Sequence, residues 1–316
     1  MEFNFIISRW ANFYFFVQNL AKWHFSCREP YNVLWQEKLK IKSKKEKEAL
    51  ITFKKIRCRH KESRSILEIA FFTKKDPWKY LKKYISSKEY NQIRDCFSVF
   101  IKKFDLLYKE ELPKLKKWQK TLQKESNIQK RNNEIDKILS NFLKTPSFRN
   151  KAVNVYLLLS TKNLVGGGAN INNKSISLEI SSYPIEKSNI NYVQGVIWHE
   201  IVHLLYQKHY LMPSLQKICK NNTELISTCK EYIVTSLFPN GVIGSKLLGL
   251  KIRKQQSSMI TKMIQEYIQK NKPIDEKIIQ TVVKQVKSKL KKTKLILHRR
   301  NSNSYQCSIK GSFKIF

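Results

Sequence analysis

His199 and His203 stand four residues apart, with Glu200 beside the first of them, in the run His199-Glu200-Ile201-Val202-His203. On a helix, side chains four apart lie one above the other on the same face, so both imidazoles can reach a single metal ion. Glu200 then sits beside the ligands, where it can take a proton from water activated by that ion. Hydrolysis of an unreactive bond such as a peptide needs this combination of an electrophile, a base and a water. Zn²⁺ is the expected ion. The flanks, Gly195-Val196-Ile197-Trp198 and Leu204-Leu205-Tyr206, carry no charge. They predict a helix that crosses an interior and exposes only its ligands and base, since unpaired polar groups are costly there.

A catalytic zinc takes three protein ligands and keeps one position open. Three residues compete for the third place. His209 follows His199 by ten residues, a spacing that resembles the metzincins, but that subclass has glycine for a sharp turn at the position that is Tyr206 here. If the helix continues, His209 lies about 15 Å along the axis from His199. Glu224 opens a later helical stretch, where a first-turn carboxylate also complements the helix dipole. Glu231 lies within Glu231-Tyr232-Ile233-Val234-Thr235-Ser236-Leu237-Phe238, an apolar run in which an acidic side chain wants a partner. Tyr206, His209 and Tyr232 are candidates for supporting an oxyanion.

Several elements must position these groups. Val153 to Leu159 reads as a buried strand. Ser175 to Ser181 alternates with period two, so Ile176, Leu178 and Ile180 should face a core while the serines and Glu179 face outward. It directly precedes the motif helix, and resemblance to zinc peptidases with this motif implies that such a strand lies at the sheet edge and pairs with extended substrate. Between the two, Gly166-Gly167-Gly168 lacks the lysine of a phosphate loop and reads as a flexible hairpin loop, a flap, or a close backbone approach at the cleft. Gly166, Gly167, Gly168, Ser177 and Glu179 are the expected substrate contacts.

Upstream the pattern is helical. Residues 3–8 suggest a short strand and Trp10–Phe25 a helix. A turn is expected at Arg28-Glu29-Pro30, and Asn32 is a candidate cap for a helix through Phe53. Asp76-Pro77 and Ser86-Ser87-Lys88-Glu89 are helix starts. Glu111–Leu143 is helical and charged. Past Pro239-Asn240-Gly241, Ile274–Leu290 reads as a solvated amphipathic helix in a basic tail. The expected organisation is a helical N-terminal region (1–125), a metal-binding α+β core (126–250) and a basic, partly helical tail (251–316).

The chain has 316 residues, is 41% hydrophobic and carries a net charge of +37. Such a charge favours anionic partners, nucleic acid or a phospholipid surface, without specifying a fold. Lys, Asn and Ile richness is also what an AT-rich genome writes, although that does not explain the scarcity of acidic residues. The six cysteines are scattered with no Cys-x-x-Cys pair, which points to free thiols and a cytoplasmic setting. No apolar stretch approaches the roughly 20 residues of a membrane span.

The motif at His199–His203, together with Gly166-Gly167-Gly168-Ala169-Asn170, the alternating strand after it and Glu231–Gly241, resembles a group of predicted zincin-like proteins from small-genome bacteria. Trp23-His24-Phe25-Ser26-Cys27 and Tyr31-Asn32 are similar to that group too, so the likeness spans residues 1–250. It implies a gluzincin-type His-His-Glu site and favours Glu231. The chain departs from well-known gluzincins in lacking the Asn-Glu-x-x-Ala-Asp pattern. The resulting expectation is a zincin-like fold and a zinc-dependent peptidase with Glu200 as general base. The rivals are a basic non-catalytic protein that keeps the fold and binds nucleic acid or an anionic surface, and a metal-dependent hydrolase of another substrate.

Overall fold

The computed structural model describes residues 1–22, 29–60, 65–161, 163–171, 174–252 and 259–301. Trp23–Cys27 and Arg28, used above, lie outside the described residues. The architecture is mixed α+β, mostly helical, with one four-stranded sheet among the described residues. None of the described helices is long and apolar enough to cross a membrane. The chain divides into two compact units, neither of them contiguous: Met1–Gln129 with Asn150–Glu200, and Lys130–Arg149 with Ile201–Phe316.

The first unit holds the sheet. Its strands are β1 (Glu2–Ile6), β2 (Ala152–Leu158), β3 (Gly166–Asn170) and β4 (Ser175–Glu179), in spatial order β1-β2-β4-β3. β1 pairs parallel with β2 from Glu2↔Ala152 to Ile6↔Tyr156, and β2 pairs parallel with β4. β3 returns antiparallel along β4. The first residues of the chain thus supply a strand of the sheet. That pairing joins residues 2–6 of the N-terminal region to residues 152–156.

Its helices are α1 (Arg9–Leu20), α2 (Glu29–Lys38), α3 (Lys44–Arg59), α4 (Ser65–Thr73), α5 (Pro77–Tyr84) and α6 (Ser87–Ser126), with α8 (Lys187–Ile201) following the sheet. The N-terminal apolar run is interior. Ala11, Phe13, Tyr14, Phe16 and Val17 of α1 are buried, and Phe13 stacks on Phe104 of α6 at 4.4 Å. Asp76 caps α5 through the Trp78 and Lys79 amides, with Pro77 at its first position, and Ser86 caps α6 through the Glu89 amide. Asn32 is not a cap. It lies inside α2, and its amide donates to the carbonyls of Asn19 and Leu20. The long basic helix expected there is broken between Lys38 and Lys44. α6 runs unbroken through Pro113 for 40 residues, because Phe97, Phe100, Phe104, Leu107, Leu115, Trp118 and Leu122 form one buried stripe. Its side chains also close the outer edge of β1. Asn127 accepts from the Phe3 amide and donates to its carbonyl, and Gln119 donates to the Phe5 carbonyl.

The second unit is helical: α7 (Gln129–Phe142), α9 (Leu211–Ile218), α10 (Thr223–Leu237), α11 (Val242–Leu248), α12 (Met259–Gln269) and α13 (Glu276–Asn301). α10 packs against α9, α11, α12 and α13. Ile260, Ile264, Ile274, Ile278, Ile279, Val282, Val283 and Val286 are buried. The stretch expected as a solvated tail is therefore part of a core. Its charges line one face while an apolar stripe covers the other, and burying the stripe outweighs leaving the helix free.

Candidate metal centre

α8 carries His199 and Glu200, and the helical run continues as a single π turn, Val202–Tyr206, that carries His203. The turn is closed by Gln207 N–H, which donates to the Val202 carbonyl five residues back at 3.0 Å. Such turns insert an extra residue into a helix and concentrate at functional sites. Tyr206 holds this one in place. It is fully buried, its hydroxyl donates to Asp136 on α7, and its ring meets Phe148 edge-on at 5.0 Å. Asp136 also accepts from the Ser147 hydroxyl and the Phe148 amide. Burial and Asp136 push the Tyr206 hydroxyl far above its ordinary pKa. Tyr206 is thus a structural anchor and no candidate for an oxyanion, because its proton is committed inside the core. The Tyr232 hydroxyl accepts from Lys289 at 2.9 Å.

His203 is the centre of the arrangement. It is 8% exposed, and its two ring nitrogens face two oxygens: Nδ1 lies 2.9 Å from Oε1 of Gln207, and Nε2 lies 3.3 Å from Oε1 of Glu231. Glu231 reaches it from the third turn of α10, whose start is fixed by Asn222 accepting from the Leu225 amide. Lys230 Nζ approaches the same Glu231 oxygen at 3.6 Å. His199, His203 and Glu231 each offer a ligand atom, and these three atoms lie within 4.8 Å of one another. The donor set is two imidazoles and one carboxylate, a set that suits zinc.

The other two ligand candidates lie elsewhere. Glu224 is exposed in the first turn of α10. His209 is exposed, in the turn after the π segment, with its ring 6.1 Å from that of Phe148. The helix does end near Tyr206, but among the described residues the cluster does not include His209.

Glu200 is 9% exposed and lies against the sheet. A Cβ on Gly167 would come within 2.6 Å of its Cγ and 2.9 Å of its Oε1. The glycine run is strand rather than a loop, and Gly167 makes the close backbone approach: it must be bare for Glu200 to lie alongside it. This reverses the expected sheet order. β4 is internal, and β3 is the edge. Ser175 and Glu179 do not face solvent either: both are buried, so both faces of β4 are covered. Ser177 is half-buried and donates to the Gly168 carbonyl at 3.3 Å. Gly166 and Glu179 are partners across the β3–β4 ladder.

No protein-family model, curated protein or solved structure matches this chain.

Sequence reading passed over Gln207. The signal was present: a lone amide follows Leu204-Leu205-Tyr206, four residues after His203.

Proposed function

We propose that this chain is a zinc-dependent peptidase with a zincin-like site, in which His199, His203 and Glu231 hold the ion and Glu200 is the general base. The observation that carries the reading is the meeting of His203 Nε2 with the Glu231 carboxylate at 3.3 Å, beside a second imidazole, in the His-Glu-x-x-His run. A bound zinc supplies Lewis acidity, polarising a scissile carbonyl and lowering the pKa of water. The chain's own residues do the rest. Glu200 accepts the proton of the attacking water and returns it to the leaving amine. Its low exposure sharpens its interactions there, because a dry surround weakens screening.

The free side of β3 suits an extended peptide. Among the described residues its pairing partner is β4 alone, whereas the outer edge of β1 is closed by Gln119 and Asn127. Strand addition to β3 would place a backbone beside Gly167 and hence beside Glu200. An intact base distinguishes this reading from a purely structural metal site.

The test pairs metal analysis with cleavage of a mixed peptide library. The expected result is about one zinc per chain and cleavage that Glu200→Gln abolishes while keeping the zinc. Absence of zinc from the parent overturns the reading. Cleavage by Glu200→Gln at the parental rate removes Glu200 from its role, and zinc without cleavage favours the non-catalytic binding protein.

A further inference from the structure

Gln207 is 6% exposed and places its side-chain carbonyl 2.9 Å from Nδ1 of His203, itself 8% exposed. A carbonyl oxygen only accepts, so Nδ1 must be the donor and must carry a proton. A neutral imidazole has one N–H. With that proton on Nδ1, Nε2 presents its lone pair, and Nε2 is the atom that faces Glu231. We infer that Gln207 is a positioning residue for the metal centre: it holds the His203 ring in one tautomer and one orientation, with Nε2 offered to the ion. The inference rests on the metal-site reading above.

The backbone is built to hold that amide still. The Gln207 N–H closes the π turn on Val202, and its carbonyl accepts from the Met212 amide at 2.8 Å. The π turn sets the step from residue 203 to residue 207, so the hydrogen bond between imidazole and amide depends on it. Tyr206, the neighbour that anchors the turn on Asp136, sits outside the metal cluster. One network therefore runs from the core of the second unit to the ring nitrogen of a ligand. A partner on the far nitrogen of a ligand histidine fixes its tautomer and raises its basicity. Gln207 is a neutral partner, where a carboxylate would raise basicity further. The amide thus sets a firm orientation with a moderate hold on the ion.

The experiment measures zinc affinity by competition with a chromophoric chelator, in the full chain and in H203A, Q207M and Q207E. Gln207→Met keeps length and removes the acceptor. Zinc affinity should fall about 10- to 100-fold. Gln207→Glu restores an acceptor and should bind zinc at least as tightly as the parent. ¹⁵N-resolved NMR of the zinc-loaded parent should show a His203 Nδ1–H protected from exchange, and Gln207→Met should lose that protection. A Gln207→Met protein that binds zinc within twofold of the parent, or keeps the protected N–H, overturns the positioning role. So does a Gln207→Glu protein that binds as weakly as Gln207→Met. If Gln207→Met fails to fold, the parental N–H signal and the Gln207→Glu affinity decide, and an unprotected Nδ1–H in the parent overturns the proposal. A parent that binds no zinc, or one whose binding survives His203→Ala, overturns the metal-site reading and this inference with it. Loss in His203→Ala with none in Gln207→Met overturns the inference alone.

Discussion

The Cβ that Gly167 lacks would lie 2.6 Å from Cγ of Glu200. A strand residue thus sets the room available to the proposed base. Gly167→Ala should displace Glu200, because Val196 Cγ1 blocks the other side at 2.9 Å. The expected outcome is a large fall in hydrolysis with zinc content unchanged, and an overpacking cost of about 1–3 kcal/mol in chemical denaturation. Gly168→Ala is the control. Its Cβ would meet only the Ser177 hydroxyl, at 3.0 Å, and it should retain most activity. Equal losses in the two variants would show that strand glycine content, rather than the approach of Glu200, matters.

The three candidates for the third ligand separate by metal content. Glu231→Ala should lose zinc nearly as fully as His203→Ala, whereas Glu224→Ala and His209→Ala should keep it. Glu231 alone of the three joins His199 and His203 in the cluster. Metal analysis of the dialysed variants checks the ranking. Retention of zinc by Glu231→Ala would send the search for a ligand elsewhere.

Acid should weaken the first unit through Glu46. This carboxylate caps α3 by accepting from the Ser43 amide at 3.0 Å, and it also meets Lys103. Burial alone would raise its pKa, but hydrogen bonds from Lys103 and Ser43 outweigh that and hold it below 4.5. The folded value is depressed, so its stabilisation is present above about pH 4.5 and is lost as pH falls through the folded pKa. Glu46→Gln should cost about 1 kcal/mol at pH 7. It should cost less near pH 3, as read by denaturant midpoints. A constant difference across that range would contradict the assignment.

Removal of residues after Lys270 should do more than strip charge. α13 buries Ile278, Ile279, Val282, Val283 and Val286 in the core that α10 shares. The truncated chain should lose cooperative unfolding of its second unit and, with it, zinc binding through His203 and Glu231. A truncation that keeps both would show that α13 is dispensable, as expected of a solvated tail.

The grouping of His199, His203 and Glu231 was legible because much of its information is local. Two histidines one helical turn apart need no tertiary knowledge, and an acid inside an apolar run marks Glu231 over Glu224. The edge strand was illegible because alternation in Ser175–Ser181 says that one face is buried and is silent about the other. Its edge or internal place depends on pairing with residues far away in sequence, and the cover on its second face shows only in the burial of Ser175 and Glu179. The glycines of β3 read as a loop because glycine weakens strands, and the reason for tolerating them, Glu200, lies over 30 residues away. Charge counting hid the apolar stripe of α13. Gln207 escaped because a π turn departs from the 3.6-residue period by which helices are read.

The parallel pairing of β1 with β2 joins residues made early to residues made late. Glu2 waits for Ala152. At a synthesis rate of roughly 5–20 residues per second, the delay on a ribosome is on the order of ten seconds. Through that interval Phe3 and Phe5 lack their strand partner. α6 emerges first, and Gln119 and Asn127 hold the very backbone groups of Phe3 and Phe5 that β2 does not use. The long helix and its C-terminal cap thus complete the outer side of β1 with residues that precede β2 in the chain, so that side does not depend on the later strand.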